Sequence, residues 1–115
     1  MFVGNGRLRF DVGWVGATGA ETPVADGAWH HVAVTVTAGT GSDNVLCYVD
    51  GRLDGSGSLD VKAYTESELP VKIGFCNEDF PRGQSAFIGD LAHVRWFSYT
   101  LGPDQVRKLA EGSGN

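Results

Sequence analysis

The chain has 115 residues, a net charge of −5, and 42% hydrophobic against 20% charged residues. That is enough for one buried core, and too acidic overall to favour a phosphate backbone, so nucleic acid is not expected as a partner. No apolar run approaches the ~20 residues that cross a bilayer, and the start Met1-Phe2-Val3-Gly4-Asn5-Gly6-Arg7 lacks the apolar stretch of a signal peptide.

Arg7-Leu8-Arg9-Phe10-Asp11-Val12 alternates polar and apolar residues, which predicts a strand with Leu8, Phe10 and Val12 on one face. Residues 13–19 are broken by glycine, with Trp14 and Val15 extending that strand past a bulge. Pro23 and Asp26-Gly27 mark turns. Residues 29–37 read as a central strand, apolar on both faces: His30, Val32, Val34 and Val36 on one, Trp29, His31, Ala33 and Thr35 on the other. After a turn at 38–44, residues 45–50 form the next strand. Asp50-Gly51 is a short hairpin signal, and Arg52-Leu53 begins the return.

Gly55-Ser56-Gly57 then breaks the chain. Residues 58–64 read as a short strand, 65–68 as a solvated segment, and 70–75 as a strand that Pro70 can only start. A polar loop follows at 77–85, and 86–97 reads as a long final strand with Trp96 in the core beside Val94. Pro103–Ala110 is predicted as a helix: Pro at its first position, Asp104 in the first turn, Arg107 and Lys108 in the last, and Gly112 just beyond. Cys47 and Cys76 make no disulfide framework. They read as two small buried apolar side chains in preference to a disulfide, and they lack the second pair that a zinc site needs. Many short strands and one terminal helix predict an antiparallel sandwich.

Taken in order, Asn5-Gly6-Arg7-Leu8, Asp26-Gly27-Ala28-Trp29-His30-His31-Val32-Ala33, Tyr48-Val49-Asp50-Gly51, Ile73-Gly74, Ile88-Gly89-Asp90-Leu91, Val94-Arg95 and Leu101-Gly102-Pro103-Asp104-Gln105-Val106 resemble the concanavalin A-like lectin/glucanase superfamily, in its laminin-G-like and pentraxin-like branch. The resemblance implies an all-β fold: an antiparallel jelly-roll β-sandwich with a short C-terminal helix, as one domain over residues 1–115. Members usually carry further strands before the Asn-Gly-Arg-Leu strand, so the domain reads as N-terminally short. Sheet edges left open in that way imply that copies pair as a homo-oligomer, or that a separate fragment completes the sheets.

The function implied is a non-catalytic module that binds a carbohydrate or another extracellular ligand. A self-assembly module without a small ligand, and a diverged glycoside hydrolase fragment, are the alternatives. Trp14, Tyr64, Phe80 and Tyr99 are the candidate sugar-stacking aromatics, with Phe97 beside them. Asn77, Glu78, Asp79 and Gln84 concentrate oxygen donors suited to calcium, at a position similar to the pentraxin calcium loop. His30 and His31 are adjacent on a strand and point to opposite faces, so they do not chelate one ion together; with His93 they read as structural. The superfamily's glucanases carry Glu-x-Asp-x-x-Glu on one strand, and no such string exists here. Glycoside hydrolysis needs two carboxylates facing each other across the bond, whereas Glu66 and Glu68, or Glu78 and Asp79, are poorly placed for that.

Overall fold

The computed structural model describes residues 1–12, 15–61, 72–74 and 86–112. Two compact units partition the chain: Met1–Ala63 with Phe97–Asn115, and Tyr64–Trp96. The first holds the strands and the helix found among the described residues. Its strands are β1 (Phe2–Gly4), β2 (Arg7–Val12), β3 (Gly16–Pro23), β4 (Val32–Val36), β5 (Val45–Val49) and β6 (Arg52–Gly57), and its helix is α1 (Pro103–Ala110).

Two antiparallel sheets result, ordered β1-β2-β3 and β4-β5-β6. Each is a meander because short turns join neighbouring strands. Asn5-Gly6 and Asp50-Gly51 both take positive φ at both residues (52° and 77°, 51° and 80°), the conformation that lets a two-residue turn follow the right-handed twist of its strands. Strand alternation then sends one face of each sheet inward. Leu8 and Ala20 meet Cys47 and Val49, and Val12 meets Val45 and Val61, with Val32, Val34, Val36 and Phe10 packed around them. Burying each of the fully enclosed Leu and Val side chains stabilises the fold by roughly 1.5–3 kcal/mol. This is the all-β antiparallel sandwich with a short terminal helix that the sequence predicts.

The sheets also touch along β3 and β6, and here glycine is required. A Cβ on Gly55 would overlap the carbonyl oxygen of Gly19, and one on Gly57 would lie 2.6 Å from the Thr18 Cβ. The Thr18 hydroxyl donates to the Ser56 carbonyl at 2.9 Å across the same seam. Expectations fail here in two places. Residues 16–23 form a full strand where glycine suggested a break, and β6 runs straight through Gly55-Ser56-Gly57.

Four further expectations need correction. The central strand begins at Val32, not at residue 29. Asp26 and Asp50 capture the His30 ring, hold residues 26–31 as a loop, and leave Trp29 69% exposed and out of the core. Residues 87–97 are irregular, and Trp96 is 86% exposed beside an exposed Val94. Alternation makes a strand only where a neighbour takes its backbone groups, and the one backbone bond recorded for 87–97 among the described residues joins Phe87 N–H to Gly74 O. Residues 58–61 contribute one isolated bridge, Gly39 to Val61, in place of a strand, and residues 72–74 are irregular. The remainder of the 70–75 strand and the 77–85 loop lie outside the described residues.

Helix α1 spans the predicted residues. Gln105 Oε1 accepts the Gly102 N–H at 2.8 Å, which satisfies one donor at its start. Val106 is its buried anchor, and Ala110 and Arg107 lie against Gly51, where an added Cβ would stand 3.0 Å from the Ala110 methyl. Among the described residues no helix is long and apolar enough to cross a membrane.

Candidate functional site

One cluster of polar side chains in the first unit gathers around the β5–β6 turn. The His30 ring donates through Nδ1 to Asp50 Oδ2 at 2.8 Å and through Nε2 to the Asp26 carboxylate at 2.9 and 3.0 Å. The other Asp50 oxygen accepts the His31 N–H at 3.0 Å, and Asp26 accepts the Ala28 N–H at 3.0 Å. Carboxylates only accept, so both ring nitrogens carry protons and the ring is an imidazolium. Hydrogen bonding to Asp50, then to Asp26, raises the His30 pKa above its ordinary 6.5 against a smaller opposing effect of desolvation. The Ala28 N–H and then His30 lower Asp26, while the His30 ring is the largest cause lowering Asp50.

Asp54, on β6, serves a second junction. It accepts the backbone N–H of Glu21 at 2.9 Å, that of Thr22 at 2.7 Å, and the Thr22 hydroxyl at 2.8 Å. Partial desolvation pushes its carboxyl up, and the Thr22 and Glu21 donors outweigh this, so its pKa lies below the ordinary 3.8. Thr22, Val49, Asp50, Arg52, Leu53 and Asp54 line a shallow concavity of about 360 Å³. Chemically the cluster is a clasp. Both nitrogens of His30 are engaged, so the ring has no lone pair for a substrate proton, and Asp54 is committed to the backbone.

Of the four aromatics predicted from sequence, Tyr99 is described and stands 60% exposed. Phe97 approaches it edge-on, with centroids 5.8 Å apart and planes at 72°. One residue on, the Thr100 hydroxyl donates to Val36 O at 2.7 Å and fixes this segment to β4. Trp14, Tyr64 and Phe80 lie outside the described residues, as do the calcium candidates Asn77, Glu78, Asp79 and Gln84. Among the described residues no group of three His, Cys, Asp or Glu side chains is placed to hold a metal. Trp29 is an exposed aromatic that sequence reasoning placed in the core; its neighbour Asp26-Gly27 was the available signal for a loop. Cys47 is a free, buried thiol, as expected, and Cys76 lies outside the described residues.

A family model described as the concanavalin A-like lectin/glucanases superfamily, laminin G type, matches residues 1–107. The chain is 33% identical over 93 residues to a protein of Rattus norvegicus named for its sushi, von Willebrand factor type A, EGF and pentraxin domains, and 32% identical over 93 residues to that of Mus musculus. These matches cover 76% of this chain and 2% of the length of each relative. A solved structure of an S-layer domain-containing protein (residues 221–444) from Clostridium thermocellum is similar with a TM-score of 0.53 and 22% identity, covering 83% of this chain and 45% of that one. At that identity the likeness speaks for the fold.

Proposed function

The chain belongs to the concanavalin A-like lectin/glucanases superfamily, and from that premise we propose that it is a non-catalytic binding module whose ligand is a carbohydrate. The observation that carries this reading is the Phe97–Tyr99 pair. An aromatic ring left 60% in water is a poor use of apolar surface unless something covers it. The edge of Phe97 and the Thr100 anchor hold Tyr99 in place, which lowers the ordering cost of stacking a sugar on it. The clasp at His30 supports the non-catalytic half, since its titratable groups bind one another and the backbone. Trp14, Tyr64 and Phe80 are proposed as sugar-stacking residues on the chemistry of their rings alone.

A glycan array, followed by calorimetry on the best hit, tests the reading. Tyr99→Ala should weaken binding about tenfold or more while leaving the melting temperature nearly unchanged. An array without hits, or a Tyr99→Ala protein that binds as the parent does, would overturn it.

Assembly through a sheet edge is a second reading, favoured by β1. This strand pairs with β2 alone among the described residues and presents an exposed Val3. Light scattering that returns a multiple of 12.2 kDa would support it, and the monomer mass at high concentration would dismiss it. Calcium on Asn77, Glu78, Asp79 and Gln84 remains a proposal supported by donor chemistry.

A further inference from the structure

On the outer face of the β1-β2-β3 sheet, Phe2, Gly4, Asn5, Arg7 and Arg9 line a second concavity of about 350 Å³. We infer that it is a binding site for an acidic sugar, whose carboxylate or sulfate sits between the two guanidinium groups while its ring rests on Phe2.

Local construction supports this. Leu8 is buried, so Arg7 and Arg9 share the opposite face of β2, roughly 7 Å apart along the strand. Arg9 pairs with Phe2 on one side and Gly19 on the other. Both flanks are cleared by glycine: a Cβ on Gly4 would stand 3.2 Å from Arg9 Cγ, and one on Gly19 would stand 2.8 Å from its Cδ and 3.0 Å from an Nη. The Arg9 side chain therefore lies across the sheet in a slot that side chains at 4 and 19 would close. Arg7 is fixed differently. Its Nε donates to Glu21 O at 2.6 Å, which orients the guanidinium and leaves its terminal donors for a ligand. Asp11 and Glu21 stand on the neighbouring stretches of β2 and β3, yet neither guanidinium is in an ion pair among the described residues.

Two oriented forks suit bidentate recognition of a planar carboxylate or a sulfate. The aromatic wall and the small volume favour a sugar ring over a folded partner. The site goes beyond the Tyr99 reading and involves none of its residues. The net charge of −5 opposes long-range attraction, so binding should rest on the short-range contacts of the two guanidinium groups.

Calorimetry of the full chain with polygalacturonate, heparin, neutral dextran and polyglutamate at low salt decides it. Polygalacturonate or heparin should bind and dextran should not; preference for the first assigns a carboxylate ligand, for the second a sulfate. Arg9→Gln should weaken that binding about tenfold, with Arg9→Lys recovering only part of it, and Phe2→Ala should weaken it severalfold. Arg9→Gln should leave the binding of a neutral glycan at Tyr99 unchanged, which separates this site from the proposed one. No binding to either acidic polymer, or binding untouched by Arg9→Gln, would overturn the inference. Polyglutamate binding as tightly, with no effect of Phe2→Ala, would also overturn it, because the surface would then be a general polyanion contact.

Discussion

His30 and Asp50 meet through Nδ1 and Oδ2 at 2.8 Å, with the His30 side chain only 16% exposed. The loop that precedes β4 and the turn that follows β5 are thus one electrostatic unit. Its pH dependence has two limits. The His30 pKa is raised, so its contribution is complete below 6.5 and is lost as pH climbs through the higher folded value. The Asp26 and Asp50 values are lowered, so theirs is complete above 3.8 and is lost as pH falls through the lower folded values. The melting-temperature gap between the parent and His30→Gln should be widest between about pH 4 and 6.5 and should narrow on either side. A gap that stays constant from pH 5 to 9 would refute the imidazolium clasp.

Asp54 bonds Glu21 and Thr22 across the seam between β3 and β6. Replacing it with Ala strands two backbone donors and should lower stability by about 1–2 kcal/mol, toward the low end for charged hydrogen bonds because the carboxylate is partly hydrated. Urea unfolding measures this; Asp54→Asn, which keeps an acceptor, should recover about half.

Gly55→Ala should be far more damaging, since its methyl would overlap the Gly19 carbonyl and force the two strands apart. Overpacking of a side chain costs about 1–3 kcal/mol, and backbone cannot yield as a side chain does, so the loss should reach or exceed the top of that range. Gly41→Ala, whose added methyl would find its nearest neighbour 3.9 Å away, should unfold within about 0.5 kcal/mol of the parent in the same titration.

Tyr48 is fully buried, and its hydroxyl has no hydrogen-bond partner among the described residues. Removing the hydroxyl abolishes a desolvation penalty without opening a large cavity. Tyr48→Phe should therefore be neutral or stabilising by up to about 1 kcal/mol in thermal unfolding. A clear loss of stability would mean that the hydroxyl is paired.

If Asn77, Glu78, Asp79 and Gln84 hold calcium, millimolar Ca²⁺ should raise the melting temperature through mass action, and a chelator should reverse the change. Asp79→Asn should abolish the response. An unchanged melting temperature at millimolar calcium would remove the metal from consideration.

Where the sequence was legible, one residue pair sufficed to specify local geometry. Asp50-Gly51 dictated its turn, and Pro103 with Gly112 bracketed the helix. The failures at glycine share a cause, which is that the deciding partner is distant in the chain. Gly19, Gly55 and Gly57 look like strand breakers in one dimension, but they are where two backbones approach. Trp29 fits a strand pattern until Asp26 and Asp50 take the neighbouring imidazole. Of the candidate site, Tyr99 could be read as a surface aromatic from its place before the helix. The slot around Arg9 could not, because Gly4 and Gly19 flank it only once β1 and β3 are laid beside β2.

Cys47 lies fully buried between the sheets, and burial pushes its thiol pKa up. Alkylation there must wait for the layers to part, because a hidden, protonated sulfur is a poor nucleophile. In a Cys76→Ser background the rate of labelling by iodoacetamide would become a clock for opening of the protein's interior, able to report when an occupied ligand surface keeps the two halves closed.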